Sequence, residues 1–191
     1  MPEARETSIV PEARETSTVP EARETSTVPE ADWYASLAGV VVAAAAVIIG
    51  PGGRALLVKP NYRDRWSLPG GVCEFGEPPH VGCAREVHEE LGLEIGVGRL
   101  LVVDWAQPFG AQVRPIMSFV FDGGELPDGA GIVLQEAELD DFAFCEPAQF
   151  AAYLPPFLVA RVTSALRARQ HGATIYLPQQ GRAGGAQDKL S

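Results

Sequence analysis

Residues 71–93 read GVCEFGEPPHVGCAREVHEELGL, from Gly71 to Leu93, and place five acidic side chains and one arginine on a loop running into a helix. Pro78 and Pro79 have fixed φ and no amide proton, which suits the first turn of a helix, and Gly92 suits its end. The spacing therefore predicts a helix over Pro79 to Leu91. Glu86, Glu89 and Glu90 then fall at i, i+3 and i+4 on one stripe, while Val81, Ala84, Val87 and Leu91 fall on the opposite side. One side is expected to pack; the other carries carboxylates.

Like charges at that spacing raise one another's pKa and destabilise the helix unless a cation lies between them. A hard divalent ion such as magnesium takes oxygen ligands and commonly bridges protein carboxylates to substrate phosphates. Ser67-Leu68-Pro69-Gly70-Gly71 precedes the helix, and its two glycines let backbone groups approach an ion or a phosphate without Cβ interference. Arg85 stands four residues before Glu89, and its planar fork can hold carboxylates in place, an orienting role rather than a substrate contact. His88 falls nearer the apolar side and reads as a packed residue. Nothing around Cys73 or Cys83 makes either a nucleophile.

The constrained positions are Gly71, five residues, Glu77, seven residues, Arg85-Glu86, aliphatic Val87, one residue, Glu89-Glu90, one residue, Gly92 and aliphatic Leu93. On these residues the chain resembles the Nudix hydrolases, which cleave nucleoside diphosphates linked to a further group, over about Gly39 to Tyr176. The resemblance implies an α/β protein, a Nudix-type α/β/α sandwich with a mixed β-sheet between helices. It implies magnesium, with manganese as an alternative, held by the Gly70 carbonyl and by Glu86, Glu89 and Glu90. Glu89 is then the leading candidate for contacting the attacking water, with Arg85 orienting it. Several relatives place a further catalytic or metal-binding acid where QEAELDDF puts Glu138; Glu136, Asp140 and Asp141 stay open as rivals. Lys59, Arg63 and Arg65 flank the loop before the helix and either reach phosphates or sit exposed on a turn. Pro108 stands 15 residues beyond Leu93, a spacing similar to that of ADP-ribose-cleaving relatives. Trp105 and Phe109 beside it are candidate stacking surfaces for a purine.

The whole chain bounds this reading. At 191 residues and 46% hydrophobic content it can bury one full core, over about 36–178. A formal charge of −10 disfavours a nucleic-acid backbone as partner, whereas a small nucleotide can still bind where a divalent ion supplies local positive charge. Three cysteines without C-x-x-C spacing fit a reduced, cytoplasmic chain. The longest apolar run, Leu37 to Ile49, has 13 residues, short of the roughly 20 of a membrane helix, so no membrane partner is expected. Residues 1–30 repeat PEARETSIV and PEARETSTV from Pro2, Pro11 and Pro20, with a fourth start at Pro29. A proline in every copy and one aliphatic cluster per copy predict a disordered segment, either a recent duplication or upstream sequence read as coding. Residues 179–191 are polar and expected to fray.

Strands are expected at Val40 to Ile49, Ala55 to Lys59, Leu100 to Trp105, Ile116 to Asp122 (closed by Gly123-Gly124), Ile132 to Leu139, Phe142 to Cys145 and Ala173 to Leu177. Helices are expected at Pro147 to Leu154 and Pro156 to Gln170. The function expected is magnesium-dependent hydrolysis of a phosphoanhydride bond in an ADP-ribose-like compound or a nucleoside triphosphate. A non-catalytic nucleotide sensor and an interaction module working through the repeats are the alternatives, and a homodimer stays open.

Overall fold

The computed structural model describes residues 29–108, 110–127 and 130–178. The repeats through Val28, Phe109 and the tail from position 179 lie outside the described residues. Two compact units divide after Ala38. The first carries a helix that the sequence reading left unassigned, α1 (Glu30–Ser36), opened by an N–H···O bond of 3.0 Å from Trp33 to the Pro29 carbonyl. Its Trp33 and Tyr34 rings meet edge to face at 4.8 Å, and none of its residues is buried.

From Gly39 onward the chain builds a seven-stranded mixed sheet. Its strands are β1 (Val41–Ile49), β2 (Ala55–Pro60), β3 (Gly70–Val72), β4 (Leu100–Ala106), β5 (Ile116–Glu125), β6 (Leu139–Cys145) and β7 (Ile175–Pro178). The order is β6-β2-β1-β5-β4-β7, with the short β3 paired to β1. The helices are α2 (Pro79–Leu91), a single-turn α3 (Phe150–Tyr153) preceded by a 3-10 turn at Pro147–Gln149, and α4 (Pro156–His171).

β1 explains its own composition. Ala44, Ala46 and Ile48 pack with Cys83, Val87 and Leu91 of α2, whereas Val47 and Ile49 pack with Leu158, Val162 and Ala165 of α4. A strand covered on both faces needs apolar residues at consecutive positions, which accounts for the run VVAAAAVII. The α/β/α sandwich expected from the resemblance is the architecture seen, with α2 on one face and α4 on the other.

Four local expectations change. Val81 is 45% exposed, and the packed side of α2 is Gly82, Cys83, Val87 and Leu91. The expected strand Ile132 to Leu139 is absent up to Leu139: the Val133 and Gln135 amides donate to the Leu91 and Glu90 carbonyls at 2.9 and 3.0 Å, satisfying the C-terminus of α2 instead of a sheet neighbour. β5 does not stop at Asp122 but passes through both glycines to Glu125, where a side chain at Gly123 would meet Ile48 and Ala46. The loop before α2 contains a strand: β3 pairs Ala43 with Val72, Ala44 with Gly71 and Ala45 with Gly70. Gly70 has φ +134°, and a Cβ there would overlap the Ala44 carbonyl, so this close approach requires glycine.

Candidate active site

α2 begins at the expected residue, with Pro78 as N-cap, and ends at Gly92 in the left-handed conformation, φ +64°, whose N–H donates to the His88 carbonyl at 2.8 Å. Beside the apolar side of this helix, Glu90 is only 7% exposed, and its Oε2 accepts the Gly70 N–H at 2.7 Å. Burial pushes the Glu90 carboxyl up to about 7; the charges of Glu86 and Glu138 add to the rise, while the Gly70 amide and the Arg63 guanidinium oppose it. Glu86 is also raised, first by burial and further by Glu89 and Glu138, against the lowering effect of Arg85.

Arg85 organises the acids on the outer side. Its Nε and Nη2 donate to the two oxygens of Glu77, each at 3.0 Å, its Nη1 to Glu86 at 3.1 Å and to Glu89 at 2.8 Å, and its Nη2 to the Val72 carbonyl at 3.3 Å. The guanidinium is held well above its ordinary pKa, chiefly by Glu77, and the Glu77 carboxyl is pulled below the usual range by the same bond and by the Glu74 amide. One fork thus fixes three carboxylates.

The carboxylates Glu86, Glu90 and Glu138 line a pocket of about 390 Å³, together with Gly70 and with Arg63. Its floor comes from β1 and β5. Ala43, Ile116 and Ser118 share the α4-facing parity of Ala45 and Val120, and alternation along a strand puts them on that side of the sheet. The pocket therefore runs from the sheet surface to the acids at the edge of β3.

Of the residues singled out in the sequence, Gly70, Glu86, Glu90, Glu138 and Arg63 meet at this pocket. Glu89 does not line it; its side chain is 48% exposed and turned to Arg85, so two rather than three carboxylates of the stripe face inward. Arg65 lies elsewhere, its guanidinium 5.9 Å over the Phe157 ring of α4. Lys59 donates to the Arg63 and Pro60 carbonyls, bracing the turn. Trp105 pairs with Met117, one residue out of phase with the Asp104–Ser118 pair, so it projects from the face opposite the pocket floor. A register shift between Leu100 and Val102 sets that phase. Among the rival acids Glu136, Asp140 and Asp141, none lines the pocket. His88 is exposed and pairs with Glu94 at 3.1 Å rather than packing.

Tyr62 and Ser118 line the pocket and were not singled out. Their sequence signals are slight: an aromatic beside Arg63 in a polar turn, and one hydroxyl in the apolar run IMSFVF.

Among the described residues no group of three or more His, Cys, Asp and Glu side chains is assembled around a common point for a metal ion. The donor chemistry nevertheless suits a hard cation. The charge of Glu138 raises the pKa of both Glu86 and Glu90 across a shared pocket, Glu86 adds to the rise at Glu90, and a divalent ion relieves that repulsion.

The NUDIX domain profile matches residues 39–165. The chain is 38% identical over 80 residues to a MutT-like protein of Streptomyces ambofaciens, covering 42% of this chain and 49% of that one. It is 34% identical over 77 residues to a Bacillus subtilis protein provisionally named an ADP-ribose pyrophosphatase, covering 40% of this chain and 37% of that one. The matches thus span half of these relatives' lengths or less. Among solved structures, a UDP-X diphosphatase superposes with a TM-score of 0.61 at 26% identity, over 78% of this chain and 76% of that one.

Proposed function

Because the chain belongs to the Nudix hydrolase family, we propose that it hydrolyses a phosphoanhydride bond in a nucleoside diphosphate linked to a second group. The observation that carries this is the convergence of Glu86, Glu90, Glu138 and Arg63 on one pocket beside Gly70. Three acids and one base suit a ligand whose phosphates arrive with a divalent cation.

Glu86 and Glu90, with the Gly70 carbonyl, would hold that cation, magnesium or alternatively manganese. When bound, it neutralises phosphate oxygens and lowers the pKa of water. Arg63, across the pocket from the helix, contacts a phosphate. The Glu138 carboxylate accepts no hydrogen bond among the described residues, which leaves it available to take the proton of the attacking water. Glu89 shares that role only on leaving Arg85. Arg85 is a positioning residue: it fixes Glu86 and Glu89 against mutual repulsion and ties both to β3.

ADP-ribose and similar nucleoside-diphosphate compounds are the favoured substrates, since one similar protein is provisionally named an ADP-ribose pyrophosphatase and one similar structure a UDP-X diphosphatase. The proposed partners are small nucleotides, not nucleic acid, and among the described residues no helix is long and apolar enough to cross a membrane. The test is turnover of nucleoside triphosphates, dinucleoside polyphosphates, nucleotide sugars and ADP-ribose, with magnesium and with EDTA. Hydrolysis of at least one class, abolished by EDTA, is expected; a folded protein that turns over none with magnesium or manganese overturns the proposal.

A further inference from the structure

Ser118 is 6% exposed, yet its hydroxyl has no hydrogen-bond partner among the described residues and the side chain lines the pocket. The hydroxyl opens onto the pocket, so a group entering there can take up its donor and acceptor capacity in place of solvent. It sits in a row across the sheet, paired with Ala43 of β1 on one side and Asp104 of β4 on the other. Arg161 of α4 takes up Asp104, donating from Nε and Nη2 to Oδ2 at 2.7 Å, so that carboxylate is neutralised rather than competing for the ligand. The remaining floor is small and apolar: Ala43, Ala45 and Ile116. The two alanines, without bulk beyond Cβ, leave room above β1 for a planar group.

Tyr62 stands at the same pocket, 70% exposed on the turn after β2. Arg63 lies over one face of its ring, 5.3 Å from guanidinium to centroid, and donates to the Ser67 hydroxyl at 3.2 Å, which steadies the pair. Arg63 also acts on the charge of Glu90. The turn therefore offers a cation toward the acids and an aromatic ring away from them.

From this juxtaposition we infer that the substrate's nucleobase lies on the Ala43–Ala45–Ser118 floor, covered by Tyr62, with Ser118 Oγ bonding a polar atom on the base edge. The inference rests on the hydrolase reading and adds to it the class and placement of the recognised group, an aromatic heterocycle. It also removes that role from Trp105.

The experiment compares Tyr62→Ala, Tyr62→Phe and Ser118→Ala with the parent protein on whichever nucleotide the panel shows to be hydrolysed, with inorganic tripolyphosphate as a substrate lacking a base. Loss of the stacking face in Tyr62→Ala is expected to raise KM about tenfold with kcat within about twofold, and Tyr62→Phe to restore it. Ser118→Ala is expected to raise KM by about fivefold, the scale of one hydrogen bond. Tripolyphosphate kinetics should not move in Ser118→Ala, and in Tyr62→Ala should change by clearly less than on the nucleotide, since the ring also steadies Arg63. Unchanged KM in both alanine variants, or equal losses on tripolyphosphate, overturns the subsite while leaving hydrolysis intact. If no compound is turned over, calorimetric titration of AMP and UMP in EDTA still decides it: binding weakened in both alanine variants supports the subsite, and absence of binding to the parent overturns it.

Discussion

Glu90→Gln is expected to make the metal-free protein more stable while abolishing its activity. The buried Glu90 carboxyl holds its proton up to about pH 7, against an ordinary value of 4.5. Its folded-state pKa is thus raised, so the group's contribution is fully present below pH 4.5, erodes as pH rises through this window and is lost above about 7. At about 1.4 kcal/mol per pH unit, the interval costs the folded state about 3 kcal/mol at pH 8. Glutamine keeps an acceptor for the Gly70 N–H and carries no charge to desolvate. In EDTA at pH 8 the variant should therefore exceed the parent by about 3 kcal/mol in urea unfolding, or by roughly 6–12 °C in Tm. At pH 5 the two should nearly coincide. Turnover with magnesium should fall by at least about a hundredfold, the scale of a lost catalytic electrostatic partner. Equal destabilisation of the variant at pH 5 and pH 8 would refute the reasoning, since Glu90 would then be a packing element and not a strained charge.

Two further substitutions separate positioning from packing. Arg85→Lys keeps the charge but not the fork that spans Glu77, Glu86 and Glu89, so kcat should fall by about ten- to a hundredfold with the fold retained; kinetics and circular dichroism check this, and unchanged kcat would remove the positioning role. Trp105→Ala should leave KM unchanged, because the ring projects from the face opposite the pocket floor, and should lower stability by about 2 kcal/mol for a half-buried aromatic; a KM rise of about tenfold would return the stacking role to Trp105.

What could be read before the structure was what local chemistry decides. The two prolines and Gly92 fix the limits of α2 without help from the rest of the chain, and a strand buried on both faces announces itself by composition. The acids were legible as a set, but their division was not. Whether Glu89 or Glu90 turns inward depends on Arg85 reaching Glu77 from one side and on the Gly70 amide meeting Glu90 from the other, and both are tertiary contacts. Residues 132–138 misled because their apolar alternation suits a strand, while their amides are taken by the end of α2. The face taken by Trp105 was not legible either, because a shift of register between β4 and β5 decides it. Ser118 and Tyr62 acquire meaning only when the parallel pairing of β1 with β5 brings distant segments to one surface.

The stretch that spoiled the strand assignment also sets a dimension. Its amides at Val133 and Gln135 hold the end of α2, while Asn61, next to Tyr62, donates its side-chain amide to the Ala137 carbonyl at 2.8 Å and its backbone N–H to Glu138 at 2.9 Å. A single connector is thus clamped to both walls of the pocket, and Glu138 rides at its far clamp. Side chains at Glu136 and Ala137 are exposed and open to change, but one residue inserted between Gln135 and Glu138 would move the acid relative to both walls at once. Redesign of the proposed substrate range should accordingly alter the floor and the Tyr62 turn and keep the length of this connector constant.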